Sequence, residues 1–198
     1  MRPVALIVLL SIATAAAADK DKPRFAPGPA SSYPGHQTMD KITIAAVPFL
    51  SDEQAHTAFD KVNPYKHGVL PVLVVFENGT GKTLRLDLVA ELVDTDGKHI
   101  DATPATDVMR IGGVTKPPKL PGQNPLPFPT RKPKGPLNIP EIETRAFAPH
   151  MLPDRDMASG FFYFQADYRP GVRLYITGIK DPATGKDYFY FEVPLERQ

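Results

Sequence analysis

Apolar and polar residues alternate most regularly over residues 83–93. Charged residues occupy one side of an extended chain there, and the apolar set on the other side is Leu84, Leu86, Leu88, Ala90 and Leu92. A period of two predicts a β-strand with one buried face. Residues 69–76 are apolar on both faces, which predicts a central strand of a sheet.

Glycines between these two segments predict a β-hairpin. Residues 78–81 run Asn-Gly-Thr-Gly, and glycine adopts the positive φ angles of a tight reversal without strain. The pairs that keep one apolar face continuous are Phe76 with Leu84, Val74 with Leu86 and Val72 with Leu88. A second reversal at Asp96-Gly97 predicts a short strand over residues 98–102.

The C-terminal segment predicts another hairpin, with residues 181–184 as its loop. The predicted inward pairs are Ile176 with Phe189, Leu174 with Phe191 and Val172 with Val193. The predicted outward pairs are Thr177 with Tyr188, Tyr175 with Tyr190 and Arg173 with Glu192. This register matches apolar, aromatic and charged side chains together. It predicts that Tyr175, Tyr188 and Tyr190 share an outer face beside Arg173.

The remaining patterns predict an all-β fold with little helix. Residues 42–49 and 159–166 are strand-like, and residues 51–62 suit one short helix capped by Ser51 or Asp52. That helix should end before Asn63-Pro64 because a residue preceding proline avoids helical geometry. About seven strands predict an antiparallel immunoglobulin-like β-sandwich, with a barrel as the alternative.

The N-terminus has the pattern of a secretory signal peptide over residues 1–18. Arg2 precedes an apolar run, and Ala16-Ala17-Ala18 is a cleavage site before Asp19. The run is shorter than the roughly 20 residues that a membrane-spanning helix needs. We therefore expect export to the periplasm or the extracellular space. A flexible leader over residues 19–38 and a single β-sandwich domain over residues 39–198 should follow.

Residues 116–140 interrupt the strand pattern. They hold nine prolines and five basic residues without an acidic one. Proline removes ladder donors, so this stretch predicts an extended Pro-rich insertion. A long surface loop and a docking peptide for an aromatic groove are both consistent with it.

Composition excludes several classes of protein. The 198 residues include no cysteine, which excludes a disulfide scaffold, an iron–sulfur site and a thiol nucleophile. The net charge is +1, and this argues against a general nucleic-acid or anionic-membrane binder.

Few residues suggest chemistry. Gly79–Thr83 resembles a phosphate loop, but Phe76 stands where that motif needs glycine, and a strand instead of a helix follows. No Gly-x-Ser-x-Gly nucleophile motif is present. His150, Met151 and Met157 are candidate soft ligands for copper(I). We expect no cofactor, and a hydrolase without a local motif stays an alternative.

Two stretches, residues 63–78 and residues 177–194, resemble uncharacterised secreted or envelope-associated bacterial proteins with an immunoglobulin-like domain. The resemblance implies the β-sandwich and brings no catalytic residues. The sequence thus predicts a secreted or periplasmic binding or scaffolding protein of the cell envelope. The candidate contact residues for a protein, peptide or glycan are Tyr175, Tyr188, Tyr190 and Arg173. The alternatives are copper handling and hydrolysis.

Overall fold

The computed structural model describes residues 25–112 and 135–197, which form two antiparallel β-sheets. The strands of the first sheet are β1 His36–Met39, β2 Ile42–Pro48, β3 Leu70–Asn78 and β7 Met157–Phe164. The strands of the second are β4 Leu84–Val93, β5 His99–Asp101, β6 Met151–Leu152, β8 Arg173–Lys180 and β9 Tyr190–Pro194. The first sheet has the order β1-β2-β3-β7, and the second has the order β5-β4-β8-β9 with β6 also paired to β4.

The predicted mostly-β class is therefore confirmed, although the described residues contain nine strands instead of about seven. Residues 25–112 and 135–197 also contain three short α-helices where one was expected: α1 Asp52–Phe59, α2 Ala105–Val108 and α3 Pro140–Thr144. Helix α1 is capped by Ser51, whose side chain accepts from the Gln54 amide in a capping box. In the parts of the chain that the structure describes, no helix is long and apolar enough to cross a membrane.

The predicted hairpin between β3 and β4 is wrong. These strands lie in different sheets: β3 pairs with β2 and β7, whereas β4 pairs with β5, β6 and β8. Val74, Phe76 and Leu86 nevertheless belong to one buried cluster between the sheets. Their apolar faces meet across the core instead of lying side by side, and a period of two is the same in both arrangements.

Asn78 holds the chain where it crosses between the sheets. Its Nδ2 donates to the carbonyls of Lys82, Leu152 and Pro153 at 2.7, 2.9 and 3.0 Å. Its Oδ1 accepts from the amide and the hydroxyl of Thr80. This buried side chain thus satisfies backbone groups from two loops, which makes the crossing a defined structure.

The C-terminal hairpin forms, but its register differs by two residues from the prediction. Ile176 pairs with Phe191, and Tyr175 with Glu192. The loop is longer than the predicted residues 181–184, since the hydrogen bond that closes it runs from the Asp181 amide to the Lys186 carbonyl. An even shift keeps each residue of the regular strands on its predicted face, so the apolar match survives.

A second core covers the far face of the first sheet. Phe161 and Tyr163 of β7 pack there with Phe59 of α1, at ring-centroid distances of 4.7 and 6.2 Å. Val108 of α2 and Ile142 of α3 are buried in the same cluster. The molecule therefore has three layers, with the first sheet in the middle.

The described part of the predicted leader is ordered. Phe25 packs on Phe49 and Phe161, and Ala30 is fully buried in the second core. The prediction of a flexible leader is thus wrong for residues 25–38, because residues 25–33 cover apolar surface that the sandwich leaves open, and the residues after them enter the edge strand β1. The predicted signal peptide, residues 19–24 and most of the Pro-rich insertion lie outside the described residues, although Leu137 at the end of the insertion is buried in the second core.

Candidate functional site

The outer face of the second sheet carries a row of aromatic side chains. Tyr175 of β8 stacks on Tyr190 of β9 with ring centroids 5.2 Å apart. His99 of β5 meets Tyr175 edge to face at 5.9 Å. Tyr190 is 50% exposed, and Val89 of β4 is exposed as well. The row crosses the sheet on the side away from the core.

The register explains why the two tyrosines meet. Tyr175 lies opposite Glu192, and Tyr190 lies opposite Thr177, so the tyrosines are diagonal neighbours and not a direct pair. Diagonal neighbours are within reach of long side chains. The same geometry brings Arg173 Nη1 to 2.9 Å from Glu192 Oε2. Tyr175 therefore contacts Tyr190, and Arg173 contacts Glu192, as predicted, but as diagonal neighbours instead of directly opposed pairs.

Tyr188 is not part of this row, contrary to the prediction. It is buried in the core between the sheets, with the Lys186 ammonium 4.4 Å from its ring centroid. Phe189 has a φ of 27°, and its side chain is 78% exposed. This left-handed residue interrupts the alternation, because Tyr188 turns inward while both Phe189 and Tyr190 are exposed.

The charged groups around the tyrosines are paired with one another. Arg173 bonds Glu192, and His99 Nδ1 donates to Glu91 Oε2 at 2.5 Å. These contacts join neighbouring strands across the face. The face therefore presents exposed aromatic surface with polar groups held in place, and without an excess of one charge.

Two of the copper candidates, Met151 and Met157, lie in different sheets, and the third, His150, precedes β6, where its carbonyl accepts from the Leu86 amide. Leu152 and Ala158 both point into the core between the sheets. Their neighbours Met151 and Met157 therefore point outward, from the second and the first sheet respectively. Among the described residues, no group of three histidine or acidic side chains could hold a metal ion. The structure gives the copper hypothesis no support.

Sequence reasoning missed one buried carboxylate. Asp181 is 1% exposed and accepts from Lys82 Nζ and Thr184 Oγ1, both at 2.7 Å, and from the amides of Ala183 and Thr184. The Lys82 ammonium holds the pKa of Asp181 well below its usual range, and the Thr184 hydroxyl adds to this. The signal in the sequence was an aspartate opening a Pro-containing turn. Its role here is to close the β8–β9 loop and tie it to the crossing after β3.

No protein-family model matches the chain, and no curated protein shows significant similarity to it.

Proposed function

We propose that the protein is an exported, non-enzymatic binding or scaffolding protein of the cell envelope, and that the outer face of the second sheet contacts its partner. The stacked, exposed Tyr175–Tyr190 pair carries this proposal. Exposed aromatic surface in a folded protein commonly marks an interaction site. Tyrosine adds contact area and a polar hydroxyl with few rotatable bonds.

The rigidity of the face supports a binding role. Leu174, Ile176 and Phe191 anchor the two tyrosine-bearing strands from the core side, and all three are fully buried. Contact residues fixed before association lose less conformational entropy when a partner binds.

The balanced charge of the face favours an uncharged partner surface. A protein, peptide or glycan that offers apolar groups and hydrogen bonds fits this face. A polyanion such as a nucleic acid does not, because the flanking cation Arg173 is already paired with Glu192.

The test is capture of envelope proteins and binding to a glycan array by the purified protein. Tyr175→Ala combined with Tyr190→Ala should reduce the signal at least tenfold, which corresponds to about 1.4 kcal/mol of binding energy. Met157→Ala is the matched control, because it removes exposed apolar surface from the other sheet. Undiminished capture by the double variant contradicts the proposal, and a reduced signal counts in its favour only where circular dichroism shows that the variant is folded.

The same proposal includes export of the protein and an immunoglobulin-like topology of its β-sandwich. Export is supported by the sequence of residues 1–18. Intact-mass measurement on the protein from an expressing culture should place the mature N-terminus at Asp19. An uncleaved chain in the soluble fraction contradicts it.

A further inference from the structure

A cleft of about 310 Å³ lies near the start of α1, away from the aromatic face. It is lined by Pro48, Leu50, Ser51, Gln54, Tyr65 and Arg197. Pro48 ends β2, Tyr65 belongs to a short 3-10 turn, and Arg197 follows β9. Its volume is within the range of small-molecule sites, which starts at roughly 300 Å³.

The cleft is rich in hydrogen-bond donors. Gln54 Oε1 accepts from the amides of Leu50 and Ser51 at 3.1 and 3.2 Å, which fixes the orientation of its amide. Its Nε2 donates to no group in the described parts of the chain, and the residue lines the cleft. The Tyr65 hydroxyl accepts from the Tyr168 amide at 3.3 Å, which leaves its own proton to donate.

Arg197 supplies a positive charge. Its guanidinium lies 4.8 Å from the centroid of the Tyr168 ring, and the Tyr168 hydroxyl donates to the Leu195 carbonyl at 3.1 Å. These contacts hold the arginine and the segment before it in place. Within residues 25–112 and 135–197, Arg197 forms no ion pair.

Among the described residues, no carboxylate lines the cleft to neutralise this charge. The nearest in sequence to Ser51 is Asp52, which is bonded to Lys66 Nζ and to Asn63 Nδ2. A ligand carboxylate would thus meet the hydrogen-bond donors of the cleft without repulsion from an aspartate or glutamate side chain in its lining. Pro48 and Leu50 offer apolar surface beside these donors.

We propose that this cleft binds a small organic carboxylate with an apolar body. The carboxylate is held by Arg197, with Gln54 Nε2 and the Tyr65 hydroxyl as further donors, and the apolar body contacts Pro48 and Leu50. Charge complementarity selects the anion, because a charge-assisted bond to guanidinium is roughly twice as strong as a neutral one. The site is independent of the aromatic face.

The experiment is a titration of the full purified protein with phenylacetate, followed by amide chemical shifts. Saturable shifts should appear at the amides of residues 49–54, 65 and 197. Phenylacetamide has nearly the same shape without the charge and should bind at least tenfold more weakly. This comparison needs no variant and therefore stands even if a substitution impairs folding.

Arg197→Gln should weaken phenylacetate binding about tenfold. Arg155→Gln is the matched control, because its exposed side chain lies at the Asn78 end of β3, whereas Pro48 pairs near the Leu70 end. The control should change affinity less than twofold. Equal binding of the amide, equal binding by Arg197→Gln, shifts confined to the aromatic face, or no saturable shift at millimolar phenylacetate would each overturn the proposal.

Discussion

The Tyr163 hydroxyl donates a hydrogen bond of 2.8 Å to the backbone carbonyl of Ile142. Both residues are buried in the second core, so this bond ties α3 to the middle sheet. Burial raises the pKa of Tyr163 well above that of a free tyrosine, and the hydroxyl therefore remains a neutral donor.

Tyr163→Phe should lower the free energy of unfolding by about 1–2 kcal/mol, because the Ile142 carbonyl is left buried without this donor. Urea denaturation measures the loss. Tyr190→Phe removes an exposed hydroxyl and should change stability by less than about 0.5 kcal/mol. Equal effects of the two variants would mean that the bond to α3 adds nothing.

Gly178 should be less tolerant of alanine than Gly81. Both have positive φ angles, 86° and 81°, so alanine costs each about 1 kcal/mol of backbone strain. A Cβ at Gly178 would lie 2.0 Å from the Asp87 carbonyl oxygen, whereas nothing lies within 4 Å at Gly81. Gly178→Ala should cost about 2 kcal/mol more. Similar denaturation midpoints for the two variants would contradict the close packing of β8 on β4 at Asp87, where the pairing of the two strands shifts register between Leu86 and Val89.

The Tyr175–Tyr190 stack should appear as an energetic coupling in the free protein. A double-mutant cycle with alanine at each position should give a coupling of about 0.5–1 kcal/mol in unfolding free energy, typical of an aromatic pair. Tyr175 and Met157 occupy different sheets, and alanine substitutions there should be additive. A coupling near zero for the tyrosines would show that the rings do not stack in solution.

The Lys82–Asp181 pair predicts a pH-dependent stability. The pKa of Asp181 is lowered in the fold, so its contribution is present above the ordinary aspartate value of about 4 and is lost as the pH falls. The pKa of Lys82 is raised by the Asp181 carboxylate, so its contribution is present below about 10.4 and is lost as the pH rises. Asp181→Asn should therefore lower the melting temperature at neutral pH.

The difference in melting temperature between wild type and Asp181→Asn should narrow as the pH falls below about 4, where the wild-type carboxylate begins to be protonated on unfolding. A scan of melting temperature against pH measures this. A difference that stays constant over the whole range would contradict the proposed ion pair.

The pattern of apolar and polar residues predicted the positions of most strands correctly. It did not predict which strands pair with one another. The alternation over residues 83–93 predicted β4, which spans Leu84–Val93, and the continuous apolar run predicted the central strand β3. Their pairing was wrong because it depends on which surface each strand meets. The Asn78 side chain settles that through carbonyls of Leu152 and Pro153, more than 70 residues away in the chain.

Strand periodicity predicted the aromatic face of the second sheet only in part. Tyr175 and Tyr190 lie on the predicted side because the register shift is even. Tyr188 turns inward because Phe189 adopts a left-handed backbone, which strand periodicity does not anticipate for phenylalanine. The donor-rich cleft was not predictable, since Gln54, Tyr65 and Arg197 are brought together only by the fold.

The sequence by itself determined the β-rich class and most strand positions and narrowed the cap of α1 to Ser51 or Asp52, because these follow from side-chain periodicity and local hydrogen bonding. Only the tertiary structure decided the partition of strands between two sheets, the second core beneath residues 25–33 and the burial of Asp181. Those features arise from contacts between distant segments, where apolar surfaces and polar groups find partners that no local pattern specifies.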